Sequence, residues 1–374
     1  MFTSRSIQSN LTLRDKIFSI DYILVFSILT LGIISMFAMY STDGGSFAYH
    51  TKSHILRFFV FFSLFLLISF FPIKFWFQSS LAIYFIFFLL LLGVKYFGLT
   101  SSGSQRWINL YVINLQPSEL MKIGLILFLA KYYHRIPVSD VNRFKFLFFP
   151  LICVSAPALL VMSQPDLGTA ILIVAGGIIV AFLAGIKFKF FAYISIIFLA
   201  LAPIAISFLK PYQKERILTF INPDRDPLGA GYQIIQSKIA IGSGGLFGKG
   251  FLNGSQSYLD FLPEKHTDFI FTLFSEEFGF FGSVFILLLY SLILSRIVKI
   301  GHQTRSNFGK LYCYGFAGAF FVYVVVNMGM VLGLLPIVGA PLPIMSYGGS
   351  SMLAIMLGLG IVMSCKIYKD TPVN

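Results

Sequence analysis

The chain has 374 residues, of which 57% are hydrophobic and 11% are charged, with a mean hydropathy of +0.84 and a formal net charge of +13. So few polar side chains cannot cover a water-soluble globule, which excludes that class of protein. The composition indicates a polytopic membrane protein, with residues 1–374 as a single transmembrane domain.

Ten apolar segments are long enough to cross a hydrocarbon core of ~30 Å as helices. We therefore predict an all-α fold of about ten transmembrane helices. The first segment is interpreted as a retained span, because it lacks the small-residue cleavage site of a signal peptide. In chain order the predicted spans are residues 22–40, 55–71, 81–97, 118–133, 146–162, 169–185, 190–209, 268–297, 311–334 and 350–365.

The basic residues predict the orientation. If the N-terminus is cytoplasmic, most Lys and Arg residues fall in the inner connections, so both termini are predicted to be cytoplasmic. These cations would face anionic membrane lipid. We expect no nucleic-acid partner, because no basic stripe with interleaved aromatic residues is present.

Residues 210–267 form one long connection, predicted to be periplasmic, and loops of this length are usually functional. Within it, Tyr232, Ile235 and Ile239 have the spacing of a short helix that could lie on the membrane surface. A glycine-rich run follows at residues 242–250. It is not a nucleotide-binding P-loop, which would require Gly at 243 and Ser or Thr at 250. Either a tight turn or a backbone that a large ligand approaches closely would explain it.

Four polar clusters stand at the predicted outer ends of spans that run inward. Each lies at a helix N-terminus, where unpaired N–H groups and the helix dipole present partial positive charge. If these ends converge, they would form a site for an anion such as a phosphate. The clusters are residues 116–119, 164–166, 266–268 and 346–350.

Each cluster taken alone can also be explained as a helix cap, in which Ser118 or Thr267 accepts hydrogen bonds from the first N–H groups of the helix. Ionisable residues of both signs nevertheless lie in or beside the apolar spans, where charge is costly without a function. We therefore predict a shared polar cavity. Its expected members are Arg106, Glu119, Lys122, Asp166, Asp268, Glu276 and Glu277.

Two further interpretations concern Glu276 and the histidines. Glu276 lies two turns below Asp268 and either extends the cavity inward or is a buried partner of Lys122. His50 and His54 have the spacing of a metal-binding pair, but without a third ligand or a neighbouring Glu they are interpreted as interfacial polar residues.

Six segments resemble the signature segments of the SEDS proteins, the shape, elongation, division and sporulation family. They occur in the family's order over almost the whole chain, and LPEKHTDFIF together with LPIMSYGGSS is a highly specific pair. The short N-terminal tail is more similar to the elongation branch than to the division branch. The segments are GSQRWI (103–108), QPSELMK (116–122), QPDLGTA (164–170), GYQIIQSKIAIGSGGLFGKG (231–250), LPEKHTDFIF (262–271) and GAPLPIMSYGGSS (339–351).

This resemblance implies a peptidoglycan glycosyltransferase that polymerises lipid II at the outer face of the bacterial cytoplasmic (inner) membrane. It implies that Asp268 is essential and implicates Glu119 and Arg106. It further implies Mg²⁺ or Mn²⁺ as a cofactor, an undecaprenyl-linked glycan as the bound polymer, and a class B penicillin-binding protein transpeptidase as a partner.

Joining two lipid-linked sugars requires one base and a cradle for a departing diphosphate. We hypothesise that Asp268 is the general base, with Glu119 as a second catalytic residue, and that helix N-termini and cations hold undecaprenyl diphosphate. Substrate contacts are expected from Arg106, Lys122, Arg216, Lys238, Lys249, His266, Thr267, Ser346, Tyr347 and Ser350.

A different function class fits the same residues. Carboxylates and interrupted polar helix ends are also typical of transporters, so a flippase of the lipid-linked precursor is the alternative. A non-catalytic scaffold for cell-wall enzymes is a third possibility. Purified protein given lipid II distinguishes them, since only the polymerase forms glycan strands.

Overall fold

The computed structural model describes residues 11–101, 104–109, 114–208, 214–215, 218–220, 222, 225, 229–255, 262 and 264–373. The chain is mainly helical within these ranges. The helices are α1 (Leu13–Phe18), α2 (Tyr22–Thr42), α3 (Tyr49–Ser69), α4 (Ile73–Phe97), α5 (Pro117–His134), α6 (Phe144–Ser163), α7 (Leu167–Leu183), α8 (Phe188–Phe208), α9 (Ala230–Ser243), α10 (Ile270–Gln303), α11 (Asn307–Val331) and α12 (Gly349–Ile367).

Each of the ten predicted spans coincides with one of these helices. Seven of them, α2, α3, α4, α6, α10, α11 and α12, are long and apolar enough to cross a membrane. This confirms a helical, multi-pass membrane protein, while the count of ten stays a prediction. Helix α7 is shorter, and α5 carries Glu119, Lys122 and Lys131 within 18 residues.

A small antiparallel sheet joins α4 to α5, which the sequence analysis did not predict. Its strands are β1 (Leu99–Ser101), β2 (Ser104–Asn109) and β3 (Asn114–Leu115), in the order β1-β2-β3. Strands this short have a weak alternation signal. The sheet matters because β2 carries Arg106.

Helices α5, α11 and α12 form the centre of the bundle. Helix α5 packs against α4, α7 and α11, and α12 packs along α3. The outer helices expose large apolar side chains such as Phe26, Phe85 and Leu288, which suits contact with lipid. Polar groups on the central helices are therefore shielded from both water and lipid and need partners within the protein.

Helix α10 is interrupted at Gly279, where φ is +65° and ψ is −158°. The break leaves the carbonyl groups of Glu276 and Glu277 without their usual helical donors. Backbone N–H groups of the glycine-rich run replace them: Lys249 donates to Glu276 O and Gly250 donates to Glu277 O, both at 3.0 Å.

Carbonyl groups of the same run also accept hydrogen bonds from the part of α10 beyond the break. The N–H groups of Phe280 and Phe281 donate to the carbonyl oxygens of Gly245 (2.9 Å) and Leu246 (3.2 Å). A Cβ at Gly248 would overlap the backbone of α10 at Glu277, so only glycine permits this approach. The glycine-rich run is therefore a tightly turned loop that closes the chain's own broken helix.

The predicted helix within the long connection is confirmed as α9, but its packed face differs from the predicted stripe. Ile234 and Ser237 are buried against the bundle, whereas Ile239 is exposed. The Ser237 hydroxyl donates to Val331 O at 2.7 Å and lies 2.8 Å from the Thr272 hydroxyl. The packed face thus combines the apolar Ile234 and Ala240 with Ser237, which bonds to α10 and α11.

Two alanine substitutions in this segment test the role of the loop. Gly248→Ala should lower the melting temperature of the purified protein, because φ at Gly248 is +81° and the Cβ meets the α10 backbone. The backbone conformation alone costs roughly 1–3 kcal/mol. Gly242→Ala is the matched control, since its Cβ meets nothing within 4 Å. Equal melting temperatures for the two variants would contradict the closure of α10 by this loop.

Candidate active site

Asp268 lies in the turn formed by residues 264–269, immediately before α10, and is half-buried. Its carbonyl oxygen accepts a hydrogen bond of 2.9 Å from Asn327 Nδ2, which also donates to Ala340 O at 2.7 Å. Its carboxylate faces Gly339, where a Cβ would lie 3.6 Å from Asp268 Oδ2. The backbone of Asp268 is thus held by α11, and its carboxylate is directed over the segment before α12.

Glu119 and Lys122 form a buried ion pair on α5. Lys122 Nζ donates to Glu119 Oε1 at 2.7 Å, and the two side chains are each 5% exposed. The Tyr323 hydroxyl donates to Glu119 Oε2 at 2.9 Å, and its ring centroid lies 4.2 Å from Lys122 Nζ. Both carboxylate oxygens of Glu119 are therefore engaged.

Helix α11 links the two acidic groups. Tyr323, which holds Glu119, and Asn327, which holds Asp268, are four residues apart and so lie on one helix face, one turn apart. The Glu119 and Lys122 pair is consequently placed about one helical turn from Asp268 along α11. Sequence reasoning missed both α11 residues, although Asn327 within an apolar run was a detectable signal.

The four polar clusters meet at one end of the bundle. Gln116 Nε2 donates to Asp166 Oδ2 at 3.3 Å, and the Gln116 N–H donates to Ser350 Oγ at 2.8 Å. The Tyr347 N–H donates to His266 O at 2.8 Å. Each cluster is thus bonded to another.

Only one of these four helices is capped by a side chain within the described residues. Asp166 caps α7 by accepting from the N–H of Thr169 (3.1 Å), and it also accepts from the Thr169 hydroxyl (2.8 Å). Helices α5, α10 and α12 have no side-chain cap. Their N-termini therefore keep the partial positive charge that attracts an anion.

Arg106 is placed by β2 beside the start of α7. Its guanidinium donates to Pro165 O at 2.7 Å, and its Nε lies 3.7 Å from Asp166 Oδ2. Arg106 is half-buried at the converging helix ends.

Arg57 on α3 is a second cation at this end, and the sequence analysis missed it. Its guanidinium lies 4.8 Å from the centroid of the Tyr347 ring, and a Cβ at Gly349 would lie 3.6 Å from it. No acidic side chain pairs with Arg57 among the residues that the structure describes. A charged residue inside a predicted span was the available signal.

Three hydroxyl groups predicted to contact substrate are engaged within the protein. The Thr267 hydroxyl donates to Glu264 Oε2 at 2.9 Å. Ser346 Oγ accepts from the N–H of Leu342 at 2.7 Å, and Ser350 Oγ bridges two backbone groups. These side chains shape the turns that surround the site.

Of the two interpretations given for Glu276, the pairing with Lys122 is wrong. Glu276 is fully buried and bonds to Lys249 Nζ at 2.6 Å, while Lys122 pairs with Glu119. The partner differs because the glycine-rich loop lies on α10, whereas Lys122 points to α11. Lys249, predicted to bind substrate, thus holds this loop in place.

Two other predicted cations lie apart from this network. Lys238 is exposed on α9, and its ammonium end lies against Gly333, just beyond the C-terminus of α11. A cation is favourable at that end of a helix. Arg216 lies outside the described residues.

One group of three potential metal ligands occurs in the described part of the chain. Asp43, His50 and His266 place one ligand atom each within 4.8 Å of one another. His54 does not belong to this group, because it is buried and lies 2.9 Å from the hydroxyl of Ser35.

The profile of the FtsW/RodA/SpoVE family, described as cell cycle proteins, matches residues 16–371. The chain belongs to this family. Among curated relatives, the peptidoglycan glycosyltransferase MrdB of Escherichia coli (strain K12) is 46% identical over 77% of each chain. The stage V sporulation protein E of Bacillus subtilis (strain 168) is 38% identical over 78% of this chain and 79% of its own.

Solved structures of family members share the fold. A chain from work on polymerization and crosslinking by a peptidoglycan synthase complex superposes with a TM-score of 0.80 at 32% identity, over 94% of this chain and 99% of that chain. The rod shape determining protein RodA of Thermus thermophilus superposes with a TM-score of 0.72 at 28% identity, over 94% and 98%. The resemblance inferred from the sequence motifs is thereby confirmed.

The buried pair on α5 can be tested through stability. Lys122→Met leaves the Glu119 carboxylate buried without its counter-charge, which should cost about 3–5 kcal/mol. Adding Glu119→Gln should restore most of the melting temperature, because no uncompensated charge remains. Lys299→Met, at an exposed lysine, is the control. If the single and double variants melt at the same temperature, the two side chains are not coupled as described.

Proposed function

We propose that this chain is a peptidoglycan glycosyltransferase that polymerises lipid II into glycan strands. The supporting observation is Asp268, a half-buried carboxylate whose backbone is bonded to a central helix, at an end of the bundle where uncapped helix N-termini and two cations meet. The relative MrdB is named a peptidoglycan glycosyltransferase, and the relative FtsW is named a probable one. Similarity to MrdB and to a rod shape determining protein favours a role in elongation.

In the proposed reaction Asp268 is the general base. It would accept the proton of a GlcNAc 4-hydroxyl while that oxygen attacks the anomeric carbon of a MurNAc. The bond from this carbon to undecaprenyl diphosphate breaks, and its electron pair leaves with the diphosphate. Direct displacement inverts the anomeric centre, so an α-linked diphosphate yields a β-glycoside. The bond from Asn327 would keep Asp268 in position during this step.

We assign the leaving diphosphate to the region between Arg57 and the N-terminus of α12. A guanidinium beside the positive end of a helix is unfavourable alone, but an anion between them would be stabilised by both. Arg106 and the start of α5 lie at the same end of the bundle. Charge developing on the leaving oxygen is the kind of charge that such preorganised groups stabilise.

An apolar groove beside β2 suits a polyprenyl tail. It is lined by Ile86, Leu89, Gly93 and Phe97 of α4 together with Ile108 of β2. Residues i and i+2 of a strand share a face, so Arg106 and Ile108 lie on one side of β2. A lipid with its tail in this groove would bring its diphosphate near Arg106.

Glu119 is better suited to positioning than to proton transfer. Both of its carboxylate oxygens are occupied, one by Lys122 and one by Tyr323. We propose that this network orients α11 and, through Asn327, the turn that carries Asp268.

A divalent ion, Mg²⁺ or Mn²⁺, stays a proposal. Such hard cations bind oxygen ligands and are commonly held by substrate phosphates with only one or two carboxylates. Since Glu119 and Asp166 are engaged by protein groups, the ion would be held mainly by the diphosphate and would help to neutralise it.

The proposed setting is the inner membrane, with both termini cytoplasmic and the candidate site at the outer face. The positive-inside distribution of Lys and Arg supports this orientation. The relative in a peptidoglycan synthase complex supports a transpeptidase partner of the class B penicillin-binding type.

The interruption of α10 bears on the flippase alternative, since interrupted helices often line transport sites. In this chain, however, protein backbone groups from residues 245–250 satisfy the break in α10. The interruption is therefore accounted for without a transported substrate.

Asp268→Asn tests the proposed chemistry. With purified protein and lipid II, glycan strand formation should fall by at least about 100-fold, because the amide cannot accept the proton. The melting temperature should change little, since Asn has the shape of Asp and the bond from Asn327 to the backbone is kept. Asp370→Asn, at an exposed aspartate, should keep full activity. Translocation of lipid II without polymer by the unmodified chain would instead identify a flippase.

Arg57→Gln tests the assignment of the diphosphate. Loss of one charged hydrogen-bonding group should lower kcat/KM for lipid II by about 10–100-fold, the equivalent of roughly 1.5–3 kcal/mol. Arg57→Lys should recover part of the loss, and Arg14→Gln, on the exposed face of α1, should have no effect. Unchanged kinetics for Arg57→Gln would place the diphosphate elsewhere.

A further inference from the structure

Asp43, His50 and His266 converge although they come from two distant parts of the chain. Asp43 and His50 belong to the connection between α2 and α3 and the start of α3, whereas His266 precedes Asp268 by two residues. His50 Nδ1 lies 3.4 Å and His266 Nε2 lies 3.8 Å from the same oxygen, Asp43 Oδ1. The His50 side chain is 40% exposed, whereas those of His266 and Asp43 are 17% and 5% exposed, so the cluster opens to solvent on the His50 side.

The carboxylate of Asp43 is oriented by a neighbouring residue. Thr51 donates to Asp43 Oδ2 through both its N–H (2.9 Å) and its hydroxyl (2.6 Å). The other oxygen, Oδ1, is thereby turned toward the two imidazole rings. Bonds of this kind from neighbouring groups typically hold the ligands of a metal site in place.

Thr42 lies beside the other nitrogen of the His266 ring. The Thr42 hydroxyl is 2.8 Å from Met39 O and 2.9 Å from His266 Nδ1, so when it donates its proton to Met39 O it accepts from Nδ1. A neutral imidazole that carries its proton on Nδ1 has its lone pair on Nε2. That atom is the one that faces Asp43, as metal ligation requires.

The distances nearly match those of a bound ion. Zn²⁺ binds imidazole nitrogen and carboxylate oxygen at about 2.0–2.2 Å, so two ligand atoms on one tetrahedral ion are about 3.3–3.6 Å apart. The separation of 3.4 Å is in that range, that of 3.8 Å is slightly longer, and no pair exceeds 4.8 Å. The two imidazole rings are stacked with centroids 4.1 Å apart, so small side-chain rotations would close the site.

We infer that Asp43, His50 and His266 form a binding site for a divalent transition metal ion of the Zn²⁺ class. Two imidazoles and one carboxylate favour such an ion over Mg²⁺ or Ca²⁺, which prefer oxygen ligands. This site is distinct from the position of the Mg²⁺ or Mn²⁺ ion that is proposed to bind the diphosphate. A bound ion would fasten the connection between α2 and α3 to the turn that carries Asp268.

The test uses the full chain, purified in detergent through a tag without histidine, stripped with a chelator and titrated with Co²⁺ as a spectroscopic probe. We expect visible absorption bands that saturate at one ion per chain and are displaced by Zn²⁺. His50→Phe keeps an aromatic ring against His266 but removes a ligand, and Asp43→Asn removes the charge. Each should weaken binding by at least about 10- to 100-fold, the loss typical even of outer-shell changes at metal sites.

His302→Ala is the matched control, because His302 is exposed at the end of α10, away from this cluster. It should bind Co²⁺ as the unmodified chain does. Zn²⁺ should also raise the melting temperature of the unmodified chain but not that of His50→Phe. If Co²⁺ binding does not saturate, or if both His50→Phe and Asp43→Asn bind Co²⁺ as the unmodified chain does, the metal site is overturned. The three side chains would then form only an ion pair and a stack of imidazole rings. Since the readout is metal binding, it is independent of whether the chain polymerises lipid II.

Discussion

The candidate site depends on one constraint: a polar group shielded from both water and lipid must find a partner in the protein. On α11 this constraint connects two parts of the candidate site, Glu119 and Asp268. Tyr323 bonds the buried carboxylate of Glu119, and Asn327, one turn along the same face, bonds the backbone of Asp268. The central helix thus places the half-buried Asp268 relative to the buried ion pair, and a shift of α11 would move both.

The same constraint explains the most glycine-rich part of the chain. Gly279 interrupts α10, and the interruption would expose backbone donors and acceptors within the bundle. Residues 245–250 supply the missing partners on both sides, and Lys249 adds a bond to the buried Glu276. The glycine-rich run, which in the sequence could have been a ligand-binding loop, therefore completes the hydrogen bonding of the broken helix that follows Asp268.

Prediction from the sequence succeeded where the signal was local and strong. Long apolar runs predicted the helices, since the cost of unpaired backbone groups in lipid leaves few alternatives. The charge of Asp268 at the edge of such a run marked the candidate site. The sequence left two interpretations of Glu276 open, of which the pairing with Lys122 is wrong, and it did not single out Arg57, because spacing along one helix does not show which neighbouring helix lies opposite.

Taken alone, the amino-acid sequence determined that this is a helical membrane protein of the SEDS type, because hydropathy and contiguous motifs are properties of short segments. It could not determine which distant groups meet. Only the tertiary structure decided that Lys249 bonds Glu276, that α11 connects Glu119 with Asp268, and that His50 joins Asp43 and His266 rather than His54. These pairings follow from helix packing, which brings together residues more than two hundred positions apart.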